Sequence, residues 1–280
     1  VRTAGRCGPD RPSEDRIFIA PNAVVVLDGA SQPVRDDRDG GWLAETLGSH
    51  LRDRLTETAG ADLQAVLAEA IEATACRYRL VPGSSPSTTV SIVRWDATKV
   101  DVLVLGDSPV IALTYEGRVL EVRDDRLSRV ASRERRALRA DGGGFGSERT
   151  REWQALVGAQ RRRRNQPDGY WIAEAVPEAA AHAMRACWDI NDLALVMAMT
   201  DGVANGVDRY QAPANWQVAA ELARNDLASL VNTVHNAEED DADGTRWPRS
   251  KRHDDKAIVL VEFATLPAPV DDRARPPAGG

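Results

Sequence analysis

Acidic residues stand where apolar runs begin or stop in this 280-residue chain. Glu14-Asp15 precede a run at 16–20, and Asp28-Gly29 end Val24-Val25-Val26-Leu27. Gly106-Asp107-Ser108 interrupt a series of short apolar runs. Asp201-Gly202 close the run 193–199, and Asp254-Asp255 precede the run 257–263. Carboxylates gathered at the rim of buried strands repel one another. A hard divalent cation such as Mg²⁺ or Mn²⁺ relieves that repulsion through oxygen ligands. Two such ions about 3.5–4 Å apart activate a water and clamp a phosphoryl oxygen. Taken singly, each acid also reads as a turn former, since Asp-Gly is a common turn dipeptide. Their ordered combination is what points to chemistry.

Other chemistries have less to build on. Cys7, Cys76 and Cys187 are odd in number and far apart, with no Cys-x-x-Cys spacing, which fits a reducing cytoplasm. His50, His182, His235 and His253 form no His-Glu-x-x-His pattern. Zinc-protease and cysteine-nucleophile chemistry are therefore disfavoured. The 36 basic and 43 acidic residues leave a charge of −7, which argues against a general nucleic-acid binder. Of the basic residues only Lys99, Lys251 and Lys256 are lysines, a bias that reads as GC-rich coding before it reads as function. No apolar run approaches the roughly 18 residues of a membrane span, so no membrane partner is expected. The polar stretch 1–15, with Pro9 and Pro12, does not read as a signal peptide.

The acids need elements to position them. Residues 16–20 and 23–27 are apolar runs split by Pro21-Asn22, which predicts a β-hairpin whose second strand is central. Residues 41–58 and 61–76 carry helical spacing, with Leu63, Val66, Leu67, Ala70 and Ile71 on one face. Strands are expected at 88–95, 99–105, 110–114 and 118–122. Their links are so short that an antiparallel meander follows. Pro177 is expected to open a helix through residue 188. A buried strand is expected at 193–199, a helix at 216–235, an acidic loop at 238–244 and a last strand at 257–263. Residues 265–280 are Pro/Ala-rich and read as a tail or linker beyond a domain of residues 1–264. Strand runs between helix runs give α+β, with two sheets packed face to face and helices outside.

Six motifs in this order carry a resemblance. They are Ser13-Glu14-Asp15-Arg16, Val26-Leu27-Asp28-Gly29, Ser87-Thr88-Thr89, Leu105-Gly106-Asp107-Ser108, Met199-Thr200-Asp201-Gly202 and His253-Asp254-Asp255-Lys256-Ala257. The chain resembles the bacterial members of the metal-dependent serine/threonine protein phosphatases, the type 2C or PPM class. The likeness runs from about residue 5 to residue 263. It implies a four-layer α+β sandwich of two antiparallel sheets flanked by helices, with metals in a cleft at one end. It implies that Asp28 bridges two metals and that the Gly29 carbonyl binds one of them. Asp201 and Asp254 would hold the other. Glu14 and Asp15 would support the site directly or through water. Asp107 with Asp201 would form a weaker third site. Ser87, Thr88 and Thr89 are given packing roles.

The chain departs from the family pattern in two places. After Asp28-Gly29 it reads Ala30-Ser31-Gln32, without the further glycines and without the histidine that animal members place there as a proposed general acid; bacterial members commonly lack it too. The phosphate-binding arginine falls at Asp10, so Arg11 is preferred over Arg6. Arg suits phosphate because its planar fork donates two parallel hydrogen bonds. His182 reads as structural, His253 as a supporting neighbour of Asp254, and the seven tryptophans as core. Residues 133–169 read as a basic lid that selects substrates, with the run Arg161 to Arg164 as its solvated face.

The expectation is a protein phosphatase using two Mg²⁺ or Mn²⁺ ions, with a third in reserve. It would act on phosphoserine and phosphothreonine of protein substrates by attack of a metal-bridging hydroxide, with no covalent intermediate. The rivals are a catalytically silent binding module on the same fold, suggested by the altered segment after Gly29, and a phosphatase for small metabolites.

Overall fold

The computed structural model describes residues 1–8, 12–30, 38–58, 60–130, 132, 134, 149–249 and 251–263. Among the described residues, ten strands form two antiparallel five-stranded sheets. The first sheet contains β2 (Arg16–Ala20), β3 (Ala23–Leu27), β4 (Val90–Trp95), β5 (Lys99–Leu105) and β8 (Met184–Asp189), in the order β2-β3-β4-β5-β8. The second contains β1 (Arg2–Arg6), β6 (Val110–Thr114), β7 (Val119–Val122), β9 (Leu193–Met199) and β10 (Lys256–Glu262), in the order β1-β10-β9-β6-β7. Between the sheets lie Val24, Val26, Val102, Val104, Val196, Ala198 and Val259, all buried. Every second residue of a half-buried strand points inward, so β3 and β9, buried on both faces, carry no polar residue at all.

Helices cover the outer faces. α1 (Gly40–Glu57) and α2 (Leu63–Tyr78) pack Leu43, Leu47, Leu51, Leu67 and Ile71 against Val25, Leu27, Ile92 and Leu103 of the first sheet. Asp39 caps α1 by accepting from the Trp42 N–H at 2.8 Å, and Asp62 caps α2 through Gln64 and Ala65. Between β7 and β8 come the short α3 (Arg126–Arg129) and α4 (Arg149–Arg162). After β9, the single turn α5 (Asp201–Asn205) leads through a π-helical turn at Gly206–Tyr210. Then α6 (Trp216–Asn225) and α7 (Leu227–Asp240) press Trp216, Ala219, Leu230 and Val231 onto the second sheet.

The expected α+β sandwich is the observed one, and the hairpin pairs as expected, from Arg16 opposite Leu27 to Ala20 opposite Ala23. Four local expectations need correction. The meander breaks between β5 and β6, because Gly106, at φ 88°, turns the chain out of one sheet and into the other. A Cβ at Gly106 would lie 2.9 Å from Thr89 Cγ2, so both the dihedral and the space call for glycine. The helix expected after Pro177 is only a 3-10 turn, Pro177–His182. The chain then becomes β8, which satisfies the outer edge of β5 with Asp189 opposite Lys99. The helix expected at 216–235 is two helices. Asp226 ends the first, with its N–H on the Leu222 carbonyl, and caps the second through Ala228. The second runs on to Asp240, so Glu238 is a buried helical residue and not part of a loop.

β1 was absent from the sequence-based expectations. Arg-Thr-Ala-Gly-Arg has no apolar alternation, and an edge strand exposed on most of its length needs none. Two of the seven tryptophans, Trp171 and Trp216, are buried. The others are half-covered, two of them by guanidinium groups, Arg38 lying 5.3 Å above Trp42 and Arg246 4.2 Å above Trp247.

Candidate active site

β3 ends at Leu27 and delivers Asp28 to the rim of the sandwich. Its backbone is held from both sides by β4's leading residues. The Asp28 N–H donates to Thr89 Oγ1 at 3.0 Å, while Thr88 Oγ1 and the Thr89 N–H donate to the Asp28 carbonyl, each at 2.9 Å. Thr89 Oγ1 is also 2.6 Å from Ser108 Oγ, beside Asp107. The threonines expected only to pack thus fasten two acid-bearing turns to each other. Their signal in the sequence was two adjacent hydroxyls at a strand start, which packing alone does not require.

The second sheet brings the other acids. Thr200, at the end of β9, exchanges backbone and side-chain hydrogen bonds with Ala257 and donates from Oγ1 to Asp15 Oδ2 at 2.8 Å. Asp201 follows it. Gly202 passes so close to the Asp255 carbonyl that a Cβ would overlap it. Asp254 precedes β10 and accepts from Lys251 Nζ at 2.9 Å. Asp255 takes the N–H of Gly8 on one oxygen and that of Glu14 on the other, at 3.2 and 3.1 Å. It ties the N-terminal segment to β10, a role the spacing of the pair did not reveal.

Asp28, Gly29, Asp107, Asp201 and Asp254 line one cavity of about 270 Å³. Glu14 and Asp15 are buried behind it and do not line it. Burial first, and then Asp15, Asp201, Asp254 and Asp107, push the Asp28 carboxyl well above the ordinary carboxylate range. Burial first, then Asp254 and Asp107, do the same to Asp201. Asp15 rises to about 7, chiefly by burial, with the Thr200 hydroxyl pulling it back and Asp254 and Asp255 adding to the rise. Burial, the largest single influence, works against ionisation of Asp254 as well, but Lys251, Lys256 and the Asp255 N–H together hold Asp254 below its ordinary value. The donors are all oxygen, converge from both sheets, and repel one another. That set fits hard divalent cations.

The opposite wall is apolar, with Leu127, Trp153, Leu156, Val157 and Ile172. Arg164 lies at its edge, its side chain 9% exposed, bonded to Glu174 at 3.0 Å and to the Ser85 carbonyl. Arg161, Arg162 and Arg163 are exposed, as a solvated face requires, with Arg161 donating to the carbonyls of Gly83 and Ser84 and Arg163 pairing with Asp168, whereas Arg164 turns its side chain inward and is half-buried overall. Residues 133 and 135–148 of the expected lid lie outside the described residues, as do Arg11, Ser31, Gln32 and 264–280. Arg6 bonds Asn232 at 2.8 Å and does not line the cavity. His182 stacks on Trp171 at 3.5 Å, a packing role as expected.

Solved structures of similar fold are phosphatases. A bacterial serine phosphatase superposes with a TM-score of 0.58 at 11% identity, covering 95% of this chain and 98% of its own. The PPM Ser-Thr phosphatase MsPP from Mycobacterium smegmatis, in complex with cacodylate, gives 0.56 at 16%, covering 94% and 97%. The catalytic domain of the serine/threonine phosphatase PstP, in complex with two manganese ions, gives 0.51 at 13%, covering 93% and 96%. No curated protein matches the chain by sequence. The family profile described as Protein phosphatase 2C matches residues 9–242, most of the chain. With that match over a two-sheet sandwich whose acids meet at one rim, the chain belongs to the protein phosphatase 2C family.

Proposed function

We propose that the protein is a Mg²⁺- or Mn²⁺-dependent phosphatase that removes phosphate from phosphoserine and phosphothreonine of protein substrates. The observation that supports it most is the convergence of Asp28, Asp107, Asp201 and Asp254 from two sheets on one cavity. Asp28 and the Gly29 carbonyl would hold one ion, and Asp28, Asp201 and Asp254 the other. Asp107 and Asp201 would take a third. Divalent cations held there supply an activated water and neutralise charge at a phosphoryl group. The chain's own groups do the rest. Thr88 and Thr89 fix the Asp28 backbone, Thr200 and Asp15 brace the turn that carries Asp201, and Asp255 anchors Glu14. Arg164, paired with Glu174, offers guanidinium donors at the facing wall, and the phosphate contact that the resemblance implies would fall to Arg11.

The apolar wall excludes water from one side of the reacting group, which strengthens electrostatic contacts inside. We take residues 1–264 as one catalytic domain. Among the described residues no helix is long and apolar enough to cross a membrane. The three cysteines are exposed and form no disulfide, which supports a reducing, cytoplasmic setting. Hydrolysis of p-nitrophenyl phosphate and of a phosphothreonine peptide, with Mn²⁺ and with EDTA, tests the reading. Turnover of both with Mn²⁺ and of neither with EDTA is expected. Silence on both with Mn²⁺ would leave a binding module, and turnover of small esters alone would leave a metabolite phosphatase.

A further inference from the structure

A phosphate ester drawn into the acidic cavity brings oxyanions of its own, and holding them takes a cation beside the acids. The place that the resemblance gives to the phosphate-binding arginine holds an acid, Asp10. Among the described residues, four cationic side chains line the cavity: Arg164, Arg209, Arg249 and Lys251. Three of them are tied away from the acidic rim. Arg164 is fixed by Glu174 and the Ser85 carbonyl. Arg249 is buried against Asp241 at 2.6 Å and donates to the carbonyls of Glu238 and Asp241. Arg209 donates to the Pro248 carbonyl at 2.7 Å.

Lys251 points at the rim itself. Its ammonium donates to Asp254 Oδ1 at 2.9 Å, the oxygen that also accepts the Asp255 N–H. Against the burial that raises Asp201 and Asp15, its charge pulls both down, so it stands within electrostatic reach of acids from both sheets. The backbone beneath it is held. Arg249 Nε donates to the Arg252 carbonyl at 2.9 Å, bridging across Lys251, and Arg252 bonds Glu239 at 3.1 Å. The side chain has more freedom, being 29% exposed on an unbranched four-carbon stem. A fixed base and a movable ammonium at the acid-bearing rim suit a group that changes partners.

Asp254 is a partner this ammonium cannot keep on equal terms. A divalent ion held through Asp254 takes up the carboxylate's charge and repels the ammonium. The strongest acceptors then at hand are the oxygens of a phosphoryl group. We propose that Lys251 is a phosphate-binding residue, which turns from Asp254 to a phosphoryl oxygen once divalent ions occupy the cavity. The assignment rests on the reading of the cavity as a phosphate-ester site. Lysine suits the task, since a point charge with three rotatable donors follows an oxyanion without needing the planar, two-pronged partner that arginine prefers.

The test compares the full wild-type chain with Lys251→Met, which removes the charge, and Lys251→Arg, which keeps it. Calorimetric titration with Mg²⁺ comes first. Lys251→Met should bind Mg²⁺ as tightly as wild type or more tightly, because a competing cation is gone. Titration of the Mg²⁺-saturated proteins with inorganic phosphate follows. Lys251→Met should bind phosphate about tenfold more weakly or worse, the scale of one hydrogen bond to a charged group, and Lys251→Arg should recover most of the loss. The KM for p-nitrophenyl phosphate should rise by a similar factor. Weaker Mg²⁺ binding by Lys251→Met would make the lysine a brace for Asp254, and unchanged phosphate affinity would leave it a surface ion pair; either result overturns the proposal. Phosphate binding is read without turnover, which separates the two failures. A wild type that binds phosphate through Lys251 yet hydrolyses no ester would end the phosphatase reading alone. An active wild type whose phosphate affinity Lys251→Met leaves untouched would end the Lys251 assignment alone.

Discussion

Asp201 shows what a single carboxylate contributes here. It is buried and repelled by Asp254, Asp107 and Asp15, with Lys251 opposing them, and either a proton or a bound cation relieves that cost. Asp201→Asn should therefore weaken Mn²⁺ binding and Mn²⁺-dependent turnover by at least about tenfold. It should also leave the metal-free fold as stable as wild type or more so. Calorimetry, p-nitrophenyl phosphate kinetics and a thermal melt check the three parts, and near-normal Mn²⁺-dependent activity would remove Asp201 from the ligand set. The acids that line the cavity were legible in the sequence because each sits at one end of an apolar run, Asp28, Asp107 and Asp201 beside a glycine and Asp254 beside a second acid. The residues that hold them were not. Thr88, Thr89, Thr200 and Asp255 act through contacts to residues up to 247 positions away, and no local pattern announces a partner so distant.

Elements buried on both faces were readable from composition, and of the four edge strands β2 and β7 were readable while β1 and β8 were not. β3, β9 and β10 are long apolar runs, whereas β1 and β8 carry arginines and are exposed on much of their length. The crossing at Gly106 was misread because a short link suggests a hairpin, and only three dimensions show that its two strands belong to different sheets. The segment after α7 has its own fastening. Asp241 accepts from the N–H groups of Arg246 and Trp247 and from Arg249 Nη1 at 2.6 Å, with both side chains of the ion pair nearly inaccessible. Removing one partner leaves the other charge buried. Asp241→Ala should destabilise the protein by about 3–5 kcal/mol in urea unfolding. It should also loosen the approach to Lys251 and Asp254. A loss below about 1 kcal/mol would mean that the Arg249 bonds to backbone carbonyls suffice.

At the scale of the molecule, the raised carboxyls make stability depend on pH in an unusual direction. Asp15, Asp28 and Asp201 all have folded-state values above those of an unfolded chain. Their protonated forms favour the fold, so their contribution is whole below about pH 4 and is lost as pH rises, through about 7 for Asp15. Asp254 and His235 run the other way, helping above their unfolded values, but Asp254 is ionised in both states from about pH 5.5 upward and His235, held at about 4, gains only up to about pH 6.5. The metal-free protein should melt lower at about pH 8 than at about pH 5.5, and saturating Mn²⁺ at the higher pH should restore the loss. A flat metal-free profile would show that the acids are not crowded as described. Asp28 leaves one sheet while Asp201 and Asp254 belong to the other. Ions that drew oxygens from all three would rivet two layers that otherwise meet through apolar side chains and the Thr200–Asp15 and Asp255–Glu14 hydrogen bonds. Loading the cavity should then slow amide exchange where the layers part, in β3 and β9, and leave α2 as it was, so that the catalyst doubles as the clasp of its own scaffold.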